Sequence, residues 1–250
     1  MQSQVLNGLI LREFASRFGR RGTGLLFTFL IPMMQASIIA TLRLIAGAPG
    51  YAGMAIFPFT ACGVLYFRGF RNMAGDQIEA VPNNAGLLYF HKVTTLDIYL
   101  SRFFVNLAIN MSVGGAMYII ARVSGFAPPA DEPLYLVLLL ILSNAFGFAY
   151  GLTLASVAIF FPGMRSLNLI FMRILYFTSG VFFAVPEIPP AFRSYLLWNP
   201  MLHVTELARS YYFIEYTTVY GNLDYVLKWF VAFLIIGLVF ERILRDRALP

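Results

Sequence analysis

Ionisable and polar side chains inside apolar runs are where this chain could do chemistry, because each is costly to hold in hydrocarbon and defaults to a functional hypothesis. Arg173 is the clearest, lying within Leu169-Ile170-Phe171-Met172-Arg173-Ile174-Leu175. Three roles are open to it: facing a conduit for an anionic substrate, neutralising a carboxylate such as Asp76, or snorkelling along its aliphatic stem to the nearer interface. Asn106 and Asn110, one helical turn apart, and Asn144 can hydrogen-bond between helices.

Other chemistries are poorly supplied. His91 and His203 are the only histidines and fall on opposite sides of the predicted membrane, so no two-histidine metal site is expected. Cys62 is the only cysteine and reads as a small packing residue rather than a disulfide partner or thiolate ligand. The phosphate-binding pattern G-x-x-x-x-G-K-[ST] is missing, and Lys92 and Lys228 are the only lysines, so this chain does not cradle ATP in that way. Asp76, Glu79, Asp97, Glu187, Glu206, Asp224 and Glu241 lie at or beyond the ends of the apolar runs. The mid-depth acids of an ion-coupled carrier, and the inverted repeats that accompany them, are not visible.

The elements that position these residues follow from composition. Of 250 residues 59% are hydrophobic and 12% charged, against roughly a quarter charged in soluble domains. The expectation is an all-α integral membrane fold forming one domain over residues 1–250, with six transmembrane helices at about 25–45, 54–73, 102–122, 134–160, 168–185 and 225–242. Residues 1–22 read as an amphipathic interface helix: Leu6, Leu9, Ile10, Phe14 and Phe18 share one face, and Arg12, Ser16 and Arg20 another. A helix packed on the protein at the soluble side is the other reading. Arg12, Arg17, Arg20 and Arg21 follow the first apolar residues, so no cleavable signal pattern is expected.

The net charge of +6 is spread over span ends rather than gathered in one stripe, which favours lipid headgroups over nucleic acid. With the N-terminus inside, Arg12, Arg17, Arg20, Arg21, Arg68, Arg71, Lys92, Arg102, Arg165, Arg242, Arg245 and Arg247 collect on the cytoplasmic side, and only Arg43, Arg122, Arg193, Arg209 and Lys228 outside. Both termini are therefore expected in the cytoplasm. The fourth span carries Gly147-Phe148-Ala149-Tyr150-Gly151, which allows close helix approach. Phe and Tyr occupy 39 positions, the sum of 25 and 14. Tyr66, Phe67, Tyr118, Phe146, Tyr150, Tyr176 and Phe177 could stack on sugar rings along a conduit, or form interfacial belts and core.

Two connections stand out. Residues 75–101 hold Asp76, Glu79, Asn83, Asn84, His91, Lys92 and Asp97 among Leu87, Leu88, Tyr89 and Phe90, which predicts a structured segment. Residues 186–222 contain Pro186-Glu187-Ile188-Pro189-Pro190 and then Trp198-Asn199-Pro200, where Asn199 is an N-cap and Pro200 a first helical residue. A helix from residue 200 to about 213 is too short to span, so a re-entrant or interfacial hairpin is expected.

This layout resembles the ABC-2-type permeases, specifically the inner-membrane subunits that export capsular polysaccharide, and is similar to O-antigen and teichoic acid export permeases. The resemblance covers nearly the whole chain. Its most specific stretches are Gly86-Leu87-Leu88-Tyr89-Phe90-His91-Lys92-Val93-Thr94-Thr95-Leu96-Asp97 and Leu197-Trp198-Asn199-Pro200-Met201-Leu202-His203-Val204-Thr205-Glu206-Leu207-Ala208-Arg209. It implies a coupling helix, carried by Asn83, Leu87, Leu88, Tyr89, His91, Lys92 and Asp97, docking in a separate ATPase that binds ATP and Mg. It implies a homodimer, a lipid-linked and often acidic polysaccharide, a periplasmic co-polymerase and an outer-membrane export protein. Trp198, Asn199, Pro200, His203, Glu206 and Arg209 would shape the periplasmic hairpin. The chain lacks a long extra loop, which leans toward capsule. A membrane-embedded glycolipid transferase is the alternative from another class, and it would need a cluster of acids or histidines at one membrane face.

Overall fold

A computed structural model of the chain describes residues 2–18, 23–48, 50–89, 92–161 and 163–248. Among the described residues the regular structure is helical throughout, in the order α1 (Gln2–Phe18), α2 (Thr23–Ile45), α3 (Ile56–Ile78), α4 (Thr95–Val123), α5 (Pro133–Ala158), α6 (Met164–Thr178), α7 (Pro190–Leu196), α8 (Pro200–Tyr212) and α9 (Leu223–Ala248). Among the described residues four stretches are long and apolar enough to cross a membrane: Leu26–Ile45, Thr95–Val123, Pro133–Ala158 and Leu223–Ile243.

Helix α5 is the spine. A Cβ on Gly147 would lie 2.4 Å from the carbonyl oxygen of Phe70, and one on Gly151 2.7 Å from that of Ala74, so α3 backs directly onto α5 where side chains are missing. On α5's other side, Thr153 donates to the Phe233 carbonyl at 2.8 Å, and Gly237 leaves room for that threonine. Phe70, Phe146, Tyr150 and Phe233 fill the space between α3, α5 and α9 with ring centroids 5.0–6.1 Å apart. A smaller apolar cluster, built on Met73, Leu88, Ile98 and Leu152, lies where α3 and α4 approach their connection.

The two ends of the bundle are distinct. At one end meet α1, the 79–94 connection and the last turns of α9: Arg12 donates to Asn84 Oδ1 at 3.1 Å, and Thr95 Oγ1 donates to Glu241. At the other end α7 and α8 sit against the close of α2 and the start of α9, through an Arg43–Glu187 ion pair of 2.6 Å and a Tyr225 Oη to Trp198 carbonyl bond of 3.1 Å.

Boundaries depart from the sequence expectation where side chains intervene. Helix α3 continues five residues beyond the expected 73, and α4 starts seven before the expected 102, because Thr94 and Asp97 form a capping box there. Helix α6 stops at Thr178 instead of running to 185. Gly180 adopts φ +68, the left-handed conformation that ends helices. The α8 N-cap Asn199 donates to the Leu175 carbonyl at 3.3 Å and to Thr178 Oγ1 at 2.9 Å. With 15 residues α6 is about 22 Å long, short of a hydrocarbon core of roughly 30 Å.

Candidate functional site

A cavity of about 870 Å³ opens between α1, α3, α4 and α6, near the end that holds the termini. Its charge is lopsided. Arg17, Arg68, Arg71 and Arg173 line it with a single carboxylate, Asp76. Asp76 is occupied: Arg17 reaches from α1 to it at 2.8 Å, and also bonds Asn106 Oδ1 at 2.8 Å and Glu13 at 2.9 Å. Arg102 donates to the Asp76 backbone carbonyl and lies 3.7 Å from Glu13, closing this knot. The Arg173–Asp76 pairing considered from the sequence is thus taken by Arg17. Arg68, Arg71 and Arg173 have no ion pair or hydrogen bond among the described residues.

Between these guanidiniums the walls are neutral, with amides set among the apolar Ile109, Val113, Leu169 and Met172. Asn72, Asn106, Asn110 and Asn168 line the cavity. Asn110 donates to Asn144 Oδ1 at 2.6 Å, and Asn144 donates to the Leu140 carbonyl at 2.8 Å, so the expected cross-helix amide contact forms between α4 and α5. Tyr150 Oη donates to Asn168 Oδ1 at 3.1 Å, and Gln35 to Tyr176 Oη at 2.6 Å. Three unpaired cations flanked by amides make a surface for a polyhydroxylated anion: guanidinium forks for carboxylate or phosphate and amides for hydroxyls.

The eight side chains expected along a conduit are divided among three places. Arg173, Tyr176 and Phe177 line the arginine-rich cavity. Tyr66 and Tyr118 line a separate, apolar cavity of about 220 Å³ between α3, α4 and α5, with Tyr66 Oη bonded to the Leu136 carbonyl at 2.9 Å. Phe67, Phe146 and Tyr150 are buried in the bundle. Sequence reasoning missed Arg17, Arg68, Arg71 and Asn72 as lining residues. It placed Arg68 and Arg71 at the end of a span and read them as topology markers. Their spacing of three residues, with Asn72 four beyond Arg68, put them on one helix face and was a usable signal.

The 79–94 connection carries a six-residue 3₁₀ turn, Pro82–Leu87, broken at Asn84. Leu88 is buried, Leu87 is half-buried, and Asn83, Tyr89 and Lys92 project outward, Tyr89 with 70% of its surface exposed. His91 lies outside the described residues. Asp97 is buried, and its carboxylate accepts from the Thr94 amide at 2.9 Å and the Thr94 hydroxyl at 2.8 Å.

The hairpin residues form a closed, mutually satisfied group. Asn199 caps α8 by accepting from the Met201 amide at 2.9 Å, Pro200 is the first helical residue, and Trp198 is exposed. Both ring nitrogens of His203 face carbonyls, of Tyr220 at 2.7 Å and Leu197 at 2.8 Å. Glu206 accepts from Tyr216 Oη, from Thr218 Oγ1 at 3.1 Å and from the Val185 amide at 3.2 Å. Burial, reinforced by the Glu206 carboxylate, pushes the Tyr216 phenol well up, which keeps it a donor. Arg209 is wholly buried, pairs with Glu206 at 3.3 Å, donates to the carbonyls of Gly180 and Phe183, and lies 3.7 Å over the Phe59 ring.

Residues 4–213 match the ABC-2 type transporter family. Over 239 residues the chain is 28% identical to the capsule polysaccharide export inner-membrane protein CtrC of Neisseria meningitidis, covering 95% of this chain and 90% of that one. It is 28% identical over 240 residues to the capsule polysaccharide export inner-membrane protein BexB of Haemophilus influenzae, covering 96% and 90%. It is 29% identical over 248 residues to the polysialic acid transport protein KpsM of Escherichia coli, covering 97% and 94%. With an all-helical bundle, four helices able to cross a membrane and a family match over most of its length, this chain belongs to the ABC-2 type transporters.

Proposed function

We propose that the chain is the membrane subunit of an ATP-driven exporter that moves a lipid-linked, acidic capsular polysaccharide across the bacterial inner membrane, with ATP and Mg bound by a separate ATPase. The observation that carries this reading is the arginine-lined cavity, in which Arg68, Arg71 and Arg173 have no internal counter-charge among the described residues. The similar proteins that export capsule polysaccharide or transport polysialic acid add the substrate class. O-antigen or teichoic acid export is the neighbouring alternative and would use the same cavity for another polymer.

In this reading α3 and α6, the latter extended by the largely buried chain from Ser179 to Val185, complete a six-span set, both termini are cytoplasmic, α1 lies at the inner interface and the 186–222 hairpin at the periplasmic one. A polymer longer than the membrane cannot be enclosed in one pocket, so two copies enclose the passage between them. A periplasmic co-polymerase and an outer-membrane export protein continue the route. The 79–94 segment docks in the ATPase. It joins α3, which bears Arg68 and Arg71, to α4, so displacing it moves the cavity wall as a lever.

The test is Tyr89→Asp, which puts a charge on an exposed ring without disturbing the buried Leu88 beneath. Membrane insertion persists while ATPase co-purification and polymer export are lost; unchanged association overturns the docking assignment.

A further inference from the structure

Helix α7 is tied at both ends to membrane spans. Glu187, just ahead of it, pairs with Arg43 at 2.6 Å, and Arg43 lies two residues from the end of the Leu26–Ile45 span. Just after it, the Trp198 carbonyl accepts from Tyr225 Oη at 3.1 Å, and Tyr225 is the third residue of the Leu223–Ile243 span. Span ends lie where hydrocarbon gives way to headgroups. A short helix strung between two of them, at the end of the bundle away from the termini, is therefore held at that depth.

Its outward face is aromatic and uncharged. Phe192 and Tyr195, three residues apart, share one side of α7, Trp198 follows in the turn that leaves the helix, and the three are 61%, 78% and 76% exposed. Arg193, the one charged residue of α7, is drawn away: it donates to the carbonyls of Ile188 at 2.7 Å and Pro186 at 3.0 Å, and to Tyr220 Oη at 2.7 Å. Three large exposed rings in a row are unfavourable against water. Rings with a polar edge, Trp and Tyr above all, are at home in the headgroup layer.

We propose that the Phe192–Tyr195–Trp198 face is a lipid-binding foot, seated in the headgroup layer of the leaflet away from the chain termini, which fixes the depth of the hairpin. With Arg193 withdrawn, the face holds no cation to select anionic lipid, so seating is governed by ring burial and is the same in neutral and anionic bilayers. The inference rests on reading α2 and α9 as membrane spans and is independent of which polymer is carried.

The chain has two tryptophans, so Trp229→Phe leaves Trp198 as the sole indole reporter. The full chain is reconstituted in phosphatidylcholine vesicles containing lipids brominated either high on the acyl chain or near its end, and iodide is added to the water. Strong quenching by the shallow bromines, weaker quenching by the deep ones and weak quenching by iodide are expected, unchanged when anionic lipid is included. Iodide quenching with no bromine effect overturns the proposal and marks the face as water-exposed, open to a protein partner. Strongest quenching by the deep bromines also overturns it. Should Trp229→Phe fail to fold, a nitroxide on Tyr195→Cys in a Cys62→Ala chain reads the same depth through its accessibility to oxygen and to a water-soluble nickel chelate.

Discussion

Two groups of arginines, one at each end of this bundle, behave oppositely. At the hairpin end Arg209 is buried completely and spends its donors on Glu206 and on the carbonyls of Gly180 and Phe183. Arg43 pairs with Glu187 and donates to the Phe182 carbonyl, and the two guanidiniums lie at 4.6 Å and 3.7 Å over the same Phe59 ring. At the termini end Arg68, Arg71 and Arg173 face a cavity without internal partners among the described residues. The difference comes from the backbone. Where α6 breaks off at Thr178, the next residues have carbonyls with no helical donor, and away from water these must be satisfied within the protein. Arg209 and Thr205 from α8 do so, Thr205 Oγ1 donating to the Ser179 carbonyl at 2.6 Å. Around the cavity α3, α4 and α6 are unbroken beside Arg68, Arg71 and Arg173, so the carbonyls there are committed to the helices. Arg17 and Arg102 take Asp76 and Glu13, which leaves Arg68, Arg71 and Arg173 without an internal acceptor among the described residues.

The largest effect that tests this contrast is at the hairpin end. Arg209→Met leaves Glu206 buried without its cation and strips the Gly180 and Phe183 carbonyls of their donor. A cost of about 3–5 kcal/mol is expected, read as loss of folded protein in thermal unfolding of the purified chain in detergent. Adding Glu206→Gln to Arg209→Met recovers part of it. If Arg209→Met unfolds at the wild-type temperature, the two arginine groups are not the different things argued above.

The helix contact that seats α3, and with it Arg68 and Arg71, is next. Gly147→Ala places a methyl against the backbone of Phe70, and overpacking of this kind costs about 1–3 kcal/mol. Gly115→Ala on α4 meets nothing within 4 Å and is expected within about 0.5 kcal/mol of wild type. Equal effects at the two sites would mean that α3 and α5 are not packed as closely as described.

How much of this was written plainly in the residues can be judged element by element. Asn199-Pro200 announced the start of α8, and Gly147 and Gly151 the close helix contact, because caps and small residues act through local backbone geometry. The early stop of α6 was hidden: apolarity continues through Val181, Phe182 and Phe183, and only the carbonyl partners offered by α8 reveal that the helix can afford to break. The cavity was half visible. Arg173 stood out because its neighbours are apolar, whereas Arg68 and Arg71 were absorbed into a span end drawn five residues early. Which aromatics face a passage was not readable, since Phe67, Tyr150 and Tyr176 are alike in type and are separated only by tertiary packing.

Neutralising the cavity isolates the ligand side of the comparison. Arg68→Gln, Arg71→Gln and Arg173→Gln remove charge without stranding an acid, so folding and membrane insertion are retained. Losing one charge-assisted contact lowers export of an acidic polymer about tenfold, measured as polymer reaching the cell surface. Lysine at the same positions recovers part of it. A loss of stability comparable to that of Arg209→Met would show that these arginines are structural after all.

The smallest expected effect lies where the proposed docking segment enters α4. Thr94 caps that helix, its hydroxyl accepting from the Asp97 amide at 3.2 Å while the Asp97 carboxylate accepts from the Thr94 amide at 2.9 Å. Thr94→Ala removes one half of this box and costs about 1 kcal/mol. The loss is local, because the apolar packing of Ile98 and Tyr99 beneath is unchanged, so hydrogen exchange speeds up at the first turn of α4 while the rest of α4 keeps its protection. A rigid joint between docking segment and helix is what lets displacement of one move the other. The variant therefore lowers export per ATP hydrolysed more than it lowers hydrolysis itself. A proportional fall in both would place the lever elsewhere, on α3 and its contact with α5.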